Sequence, residues 1–382
     1  MRLPDRPETI QALEQRIASG DLRESRVLEF KREFPTNKAL AKQVAALSTE
    51  GGVLVIGVAE MESGLRVTPV DCSGARERVE QVARDIPEPP VQVVSHVLEG
   101  DKPRRGVLWI EITASPAMLH QVDGTYYERG DTQKRPMRDS DVADRMRLRG
   151  ERPRQIQQAL EDALRRERPA APSQHARTCV VARPIGSPDN EFFERSREHE
   201  TWDSFAFDLT TPPGPLPAVP HRYWGLISHL VVPAWQTIRS PGELSMYRDI
   251  EFQESGAFSY LSYSQDWLRG RGDGIFPLSA LRACWEAISI VGAVQRHTGQ
   301  RRAWDLAFSI CQVKGRKGRP RKPEPALSRF LPDLPRDAYS GRLLGVGTDR
   351  LEEDAKGVVA ALAARFIAEC GLDFDEEWQG SG

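Results

Sequence analysis

The segment Gly51-Gly52-Val53-Leu54-Val55-Ile56-Gly57-Val58 constrains this chain more than any other. Its leucine and β-branched side chains run without a polar interruption between glycines, so neither face suits water and a strand buried on both sides follows. Such a strand needs neighbours to cover it. Residues 27–30, 91–97, 107–112 and 125–129 read as further strands, while residues 77–85 and residues 38–47, with Leu40, Val44 and Leu47 on one face, read as helices. A short amphipathic helix over residues 8–19 carries Ile10, Leu13 and Ile17 and stops at Gly20. Gly51-Gly52 ends the second helix before the central strand. This order predicts an α+β fold, a mixed sheet with flanking helices.

At 382 residues the chain exceeds one core of about 150 residues. Asp139-Ser140 offers an N-cap for a basic helix through Arg149, and a second, polar helix covers residues 151–167. Arg168-Pro169-Ala170-Ala171-Pro172-Ser173 then has linker composition. We therefore read a first domain over residues 1–150, a helical and Pro-rich linker over 151–175, and a second α/β or α+β domain over 176–382. In the second, residues 178–182 and 304–313 read as strands, residues 250–263 as a hairpin with Gly256 at its turn, and residues 279–294 and 351–370 as helices. Trp202, Trp224, Trp235, Trp285 and Trp304 are expected to build its core. Pro-rich residues 211–220 and 318–325 read as exposed loops.

Several function classes are set aside by what is missing. No run of eighteen apolar residues occurs and the first residues lack the apolar core of a secretory signal, so the expectation is a cytoplasmic protein with no membrane partner. The five cysteines are scattered with no Cys-x-x-Cys, and the histidines show no metal-type spacing, which argues against a disulfide framework or a zinc site. No Gly-x-x-x-x-Gly-Lys-Ser/Thr phosphate loop is present. A net charge of −2 is not that of a uniformly basic nucleic-acid binder, so local charge decides the matter. The most basic stretch, residues 301–322, holds eight Lys/Arg against one Asp. Within it Lys314, Arg316, Lys317, Arg319, Arg321 and Lys322 surround a Gly-Arg-Pro core like that of a minor-groove AT-hook; the other reading is a solvated basic loop.

Three blocks in order carry a resemblance: Glu24-Ser25-Arg26-Val27-Leu28-Glu29-Phe30-Lys31, then residues 45–58 around Thr49-Glu50-Gly51-Gly52, then Tyr127-Glu128-Arg129-Gly130-Asp131-Thr132. Together they resemble the Schlafen AlbA-type family over about residues 21–146. Ala46 and Ser48 stand where many relatives have phenylalanine and asparagine, and Ala59-Glu60 where they often have an aspartate. The resemblance implies a nucleic-acid-associated domain, linked in bacteria mostly with DNA binding. In animal Schlafens this kind of core cleaves transfer and ribosomal RNA with three carboxylates and a divalent metal. Glu24 and Glu29 match the first two positions and Glu60 is the nearest candidate for the third, with Mg²⁺ or Mn²⁺ as the implied cofactor.

The residue chemistry is compatible with that implication. Glu29 and Lys31 lie two apart on a strand and so leave the same face, an arrangement that suits a metal-binding carboxylate beside a phosphate-contacting lysine. Glu24 has the wrong parity for that face and must sit in the approach loop, and Glu60 is expected in a loop after the buried strand. Arg129 either meets phosphate or braces the turn at Asp131. The leading expectation is an endoribonuclease acting on tRNA or other structured RNA, with a defence role by analogy. The alternatives are a non-catalytic DNA-binding regulator and an interaction scaffold. A homodimer is expected, because single-core relatives pair what tandem cores supply in one chain.

Overall fold

The chain is described by a computed structural model, over residues 4–62, 64–130, 133–166, 176–186, 192, 226–230, 246–253, 255–264, 274–275, 277–298, 302–318, 333–371 and 374. It divides into two units, the first made chiefly of Met1–Glu151 and the second chiefly of the residues from Arg152 onward.

In the first unit the apolar run forms β2 (Gly52–Ile56), with all five residues buried. It pairs in parallel with β1 (Leu28–Lys31) and antiparallel with β7 (Arg105–Ile112), whose other edge takes β6 (Val93–Glu99). The sheet is thus mixed, as the pattern predicts. Val53 and Val55 join Trp109, Leu28 and Phe30 in a core that includes Leu13 of α1 (Ile10–Ala18). Leu54 and Ile56 point the other way, into a core shared with α2 (Asn37–Leu47) and α3 (Ala75–Asp85). Covering both faces of one strand this way contributes about 1.5–3 kcal/mol for each large apolar side chain.

Glycines set both ends of β2. Gly51 has φ +82°, and a Cβ on Gly52 would press on Leu47 and the Val27 carbonyl, so the turn out of α2 needs both. Their part is structural. Gly57, with φ +107°, ends β2 and lets the chain leave as a separate hairpin of β3 (Val58–Met61) and β4 (Gly64–Val67). A two-residue strand β5 (Val70–Asp71) pairs with the start of β7. Further on, β8 (Gln121–Val122), β9 (Thr125–Arg129) and β10 (Lys134–Pro136) form a small antiparallel sheet.

Where two helices are predicted over residues 139–167, there is one, α4 (Asp139–Arg165). Pro153 inside it removes one backbone bond, but arginine, glutamine, alanine and leucine around it are good helix formers and carry the helix through.

The second unit holds a six-stranded sheet in the order β12 (Leu226–Leu230), β13 (Met246–Phe252), β14 (Phe258–Ser264), β11 (Ala176–Pro184), β16 (Trp304–Cys311), β18 (Ala338–Val346). The predicted hairpin is β13–β14, with Gly256 in its turn. Two short strands, β15 (Gly274–Ile275) and β17 (Lys317–Gly318), pair apart from this sheet. One face of the sheet packs on α5 (Pro277–Thr298) around Trp304, Phe308 and Tyr260. The other face meets Ile156, Leu160 and Ala163 of α4. Asp305 of β16 fixes that helix: Arg152 Nε donates to its carboxylate at 2.9 Å, and the Gly345 amide donates to it at 2.9 Å. The single closing helix predicted for residues 351–370 is instead α6 (Thr348–Glu353), α7 (Ala355–Leu362) and α8 (Ala364–Glu369). The Asp354 side chain accepts from the Gly357 amide and so restarts the helix as a cap would. Trp304 is core and Trp285 packs against it, while Trp202, Trp224, Trp235 and the loop over residues 211–220 lie outside the described residues. No helix among the described residues is long and apolar enough to cross a membrane.

His120 makes the first unit sensitive to pH. It is 2% exposed, and its Nδ1 lies 2.6 Å from the Pro89 carbonyl, which fixes the N–H there and leaves Nε2 buried without a partner among the described residues. Burial foremost, and then Arg149, hold its pKa below the ordinary 6.5, against the pull of the Pro89 carbonyl. The unfolded chain therefore takes up a proton near pH 6.5 that the folded one refuses, so stability is full above that pH and declines as pH falls toward the folded value. The expected slope is at most about 1.4 kcal/mol per pH unit, and His120→Gln removes it. Urea unfolding at pH 7.5 and 5.5 checks this; an identical pH dependence in the variant would refute it.

Candidate functional site

β1 is an edge strand of the first sheet, and its alternation sends Leu28 and Phe30 into the α1 core and Glu29 and Lys31 toward α2. Glu29 is 3% exposed, so its carboxylate must be answered inside the protein. Three groups do so: Lys31 Nζ, Gln43 Nε2 of α2 at 3.2 Å, and the Arg129 guanidinium of β9. Arg129 also donates from Nε to the Ser25 carbonyl at 3.1 Å and from Nη2 to the Leu28 carbonyl at 3.3 Å. Burial lowers the proton affinity of this guanidinium, and the nearby Glu24 carboxylate opposes that. Arg129 is therefore an internal tie that braces β1.

The parity problem with Glu24 is solved by a turn. The Ser25 amide donates to the Leu28 carbonyl at 3.0 Å, so the chain doubles back and the Glu24 carboxylate accepts from the Phe30 amide at 3.2 Å. Glu60 stands exposed on β3, on a strand where a loop is predicted, because the chain pairs with β4 directly after Gly57. Glu24, Glu29, Lys31 and Glu60 nevertheless line one cleft of about 540 Å³, together with Gln43 and Lys134. Lys134 of β10 has its pKa lowered by burial first, and then by the positive charges of Lys31, Lys42 and Arg129. The cleft thus sets the carboxylates of Glu24, Glu29 and Glu60 beside the ammonium groups of Lys31 and Lys134.

Sequence reasoning missed Gln43 and Lys134. Gln43 had a signal: it is the polar residue on a face that buries Leu40, Val44 and Leu47. Lys134 follows the third block closely but has no distinguishing pattern of its own.

For a metal, the donor chemistry fits. Glu24, Glu29 and Glu60 are all-oxygen ligands of the kind Mg²⁺ and Mn²⁺ take, and Glu24 and Glu60 are exposed enough to change rotamer. As placed, no three acidic, histidine or cysteine side chains among the described residues stand close enough together to hold an ion.

The described part of the AT-hook-like segment, residues 314–318, belongs to the second unit. Lys314 is exposed in a turn, Arg316 is partly exposed, and the Lys317–Gly318 backbone pairs with Gly274–Ile275. Arg319, Arg321 and Lys322, with the rest of the loop over residues 318–325, lie outside the described residues.

Residues 24–138 match the model of the Schlafen, AlbA_2 family. The six cleft residues named above and Arg129 fall inside the matched segment, and the family suggests nucleic-acid binding. No curated protein matches the chain. Among solved structures, the DIP2311 protein from Corynebacterium diphtheriae is 10% identical, with 76% of this chain and 72% of that chain covered at a TM-score of 0.25, too slight a likeness to argue from.

Removing one partner of a buried ion pair leaves the other charge unanswered, at a cost of about 3–5 kcal/mol. Arg129→Met is expected to lower the stability of the first unit by that amount, and Arg129→Met combined with Glu29→Met to recover much of it. Urea denaturation measures both; a midpoint unmoved by Arg129→Met would overturn the internal-tie reading.

Proposed function

We propose, from the Schlafen AlbA_2 match over residues 24–138, that the first unit binds structured RNA such as tRNA and cleaves it as a divalent-metal-dependent endoribonuclease. The observation that carries this reading is the gathering of Glu24, Glu29 and Lys31, from β1 and the turn before it, with Glu60 of β3 around one cleft. Lys31 and Lys134 line the cleft and offer positive charge to the phosphodiester. Glu29 is oriented by Arg129 and Gln43, and it keeps Lys31 in place at the cleft wall. A Mg²⁺ or Mn²⁺ held by Glu24, Glu29 and Glu60 would neutralise phosphoryl oxygens and activate the attacking water. A role in defence extends the same family analogy.

A second reading, a non-catalytic DNA-binding regulator, has its own support. Both Glu29 oxygens already face cations or an amide, as befits a structural ion. The basic segment from Lys314 offers that regulator a second contact with DNA.

The deciding experiment incubates the protein with total tRNA and, separately, A·T-rich duplex DNA, in Mn²⁺, Mg²⁺ or EDTA. RNA fragments that require metal, and that fall on the order of a hundredfold or more in Glu24→Gln and Glu60→Gln, are the expected result. Intact RNA with salt-sensitive duplex binding, unchanged in both variants, favours the regulator. Lys31→Gln and Lys134→Gln should each flatten the salt dependence of RNA binding by about 0.7 in log–log slope.

A further inference from the structure

The second unit contains a cleft somewhat larger than the carboxylate cleft of the first. It measures about 610 Å³, a volume that suits a small organic ligand, and it lies between the second half of α4 and the sheet. On α4, Gln155, Gln158 and Asp162, with Arg166 directly after its last turn, form one stripe at helical spacing along it. On the sheet, Val181, Ser259 and Glu251 sit in register across three adjacent strands and form its floor.

Its two ends differ chemically. At one, Arg154 and Arg183 line the cleft beside Gln155, whose side-chain oxygen accepts from Arg183 at 3.3 Å, and no carboxylate lining the cleft is paired with either arginine among the described residues. At the other, Glu251 has its side chain only 10% exposed and pairs with Arg166, while Asp162 is held by Gln158 at 2.8 Å and by Arg165. Between Arg154 and Arg166 the helix rises about 18 Å at about 1.5 Å per residue, which matches an extended nucleotide. Guanidinium groups at one end suit phosphates. A nearly buried carboxylate at the other suits hydrogen-bond donors such as ribose hydroxyls or the amino edge of a base.

We propose that this cleft is a nucleotide-binding site of the second unit, with phosphates on Arg154 and Arg183 and the nucleoside against Glu251. It is a site separate from the carboxylate cleft of the first unit and does not depend on nuclease activity there. Its occupant is a nucleoside phosphate, free or at the end of an RNA strand.

The test is calorimetric titration of the full chain with ATP, GTP, AMP, a short oligoribonucleotide carrying a 5′-phosphate, and pyrophosphate as a phosphate-only probe. Binding of at least one nucleotide is expected to fall tenfold or more in Arg154→Gln/Arg183→Gln and severalfold in Glu251→Gln, and to persist in Lys31→Gln/Lys134→Gln. The oligonucleotide arm, run in the Lys31→Gln/Lys134→Gln variant with EDTA, decides between a free nucleotide and a strand end. Circular dichroism confirms that each variant is folded. No binding by any nucleotide, binding lost only in the Lys31/Lys134 variant, or pyrophosphate binding as tightly as every nucleotide would each overturn the proposal.

Discussion

A carboxylate on an inward-facing strand position has to be answered, and Glu29 imposes that requirement on the whole first unit. Taking such an ion out of water costs several kcal/mol, which only opposite charge and well-placed donors offset. Here the donors come from α2 and from β9, whose Arg129 is 104 residues from the Ser25 carbonyl it also holds. One side chain therefore fixes where β1, α2 and the small antiparallel sheet stand with respect to one another. The cleft is a product of that arrangement, because Lys31, Gln43 and Lys134 are carried on the same three elements.

The central strand of the first unit was legible because hydrophobic continuity between glycines has few solutions. The hairpin at Gly256 was legible for a similar reason, alternation on either side of a turn residue. What failed were cases where a local rule met a stronger neighbouring one. The position of Glu24 could not be read from parity, since a four-residue turn reverses the chain between it and Glu29. The helix read as ending at Arg149 continues past Pro153, because the helix formers around that proline outweigh one missing hydrogen bond. Asp354 looked like an ordinary helix residue and acted as a cap. Within the site, the residue types and one of the faces were readable. The burial of Arg129 was not, because it depends on a partner a hundred positions away.

The near-neutral total charge of the chain hides a strong local separation. In one unit carboxylates and lysines share a cleft wall, and in the other arginines line one end of a cleft whose opposite end holds a carboxylate. Neither arrangement alters the sum, and both place charge where a phosphate would feel it.

Pairing with β2 takes the inward backbone groups of β1, leaving the Leu28 carbonyl and Phe30 amide on its outer edge. Open strand edges recruit strands from other molecules. Here the Arg129 guanidinium covers the Leu28 carbonyl and the Glu24 carboxylate covers the Phe30 amide. The side chains that shape the cleft are thus also what keeps this edge from templating aggregation. Drift away from the site's chemistry would be restrained by solubility, even in a descendant that had no further use for the cleft.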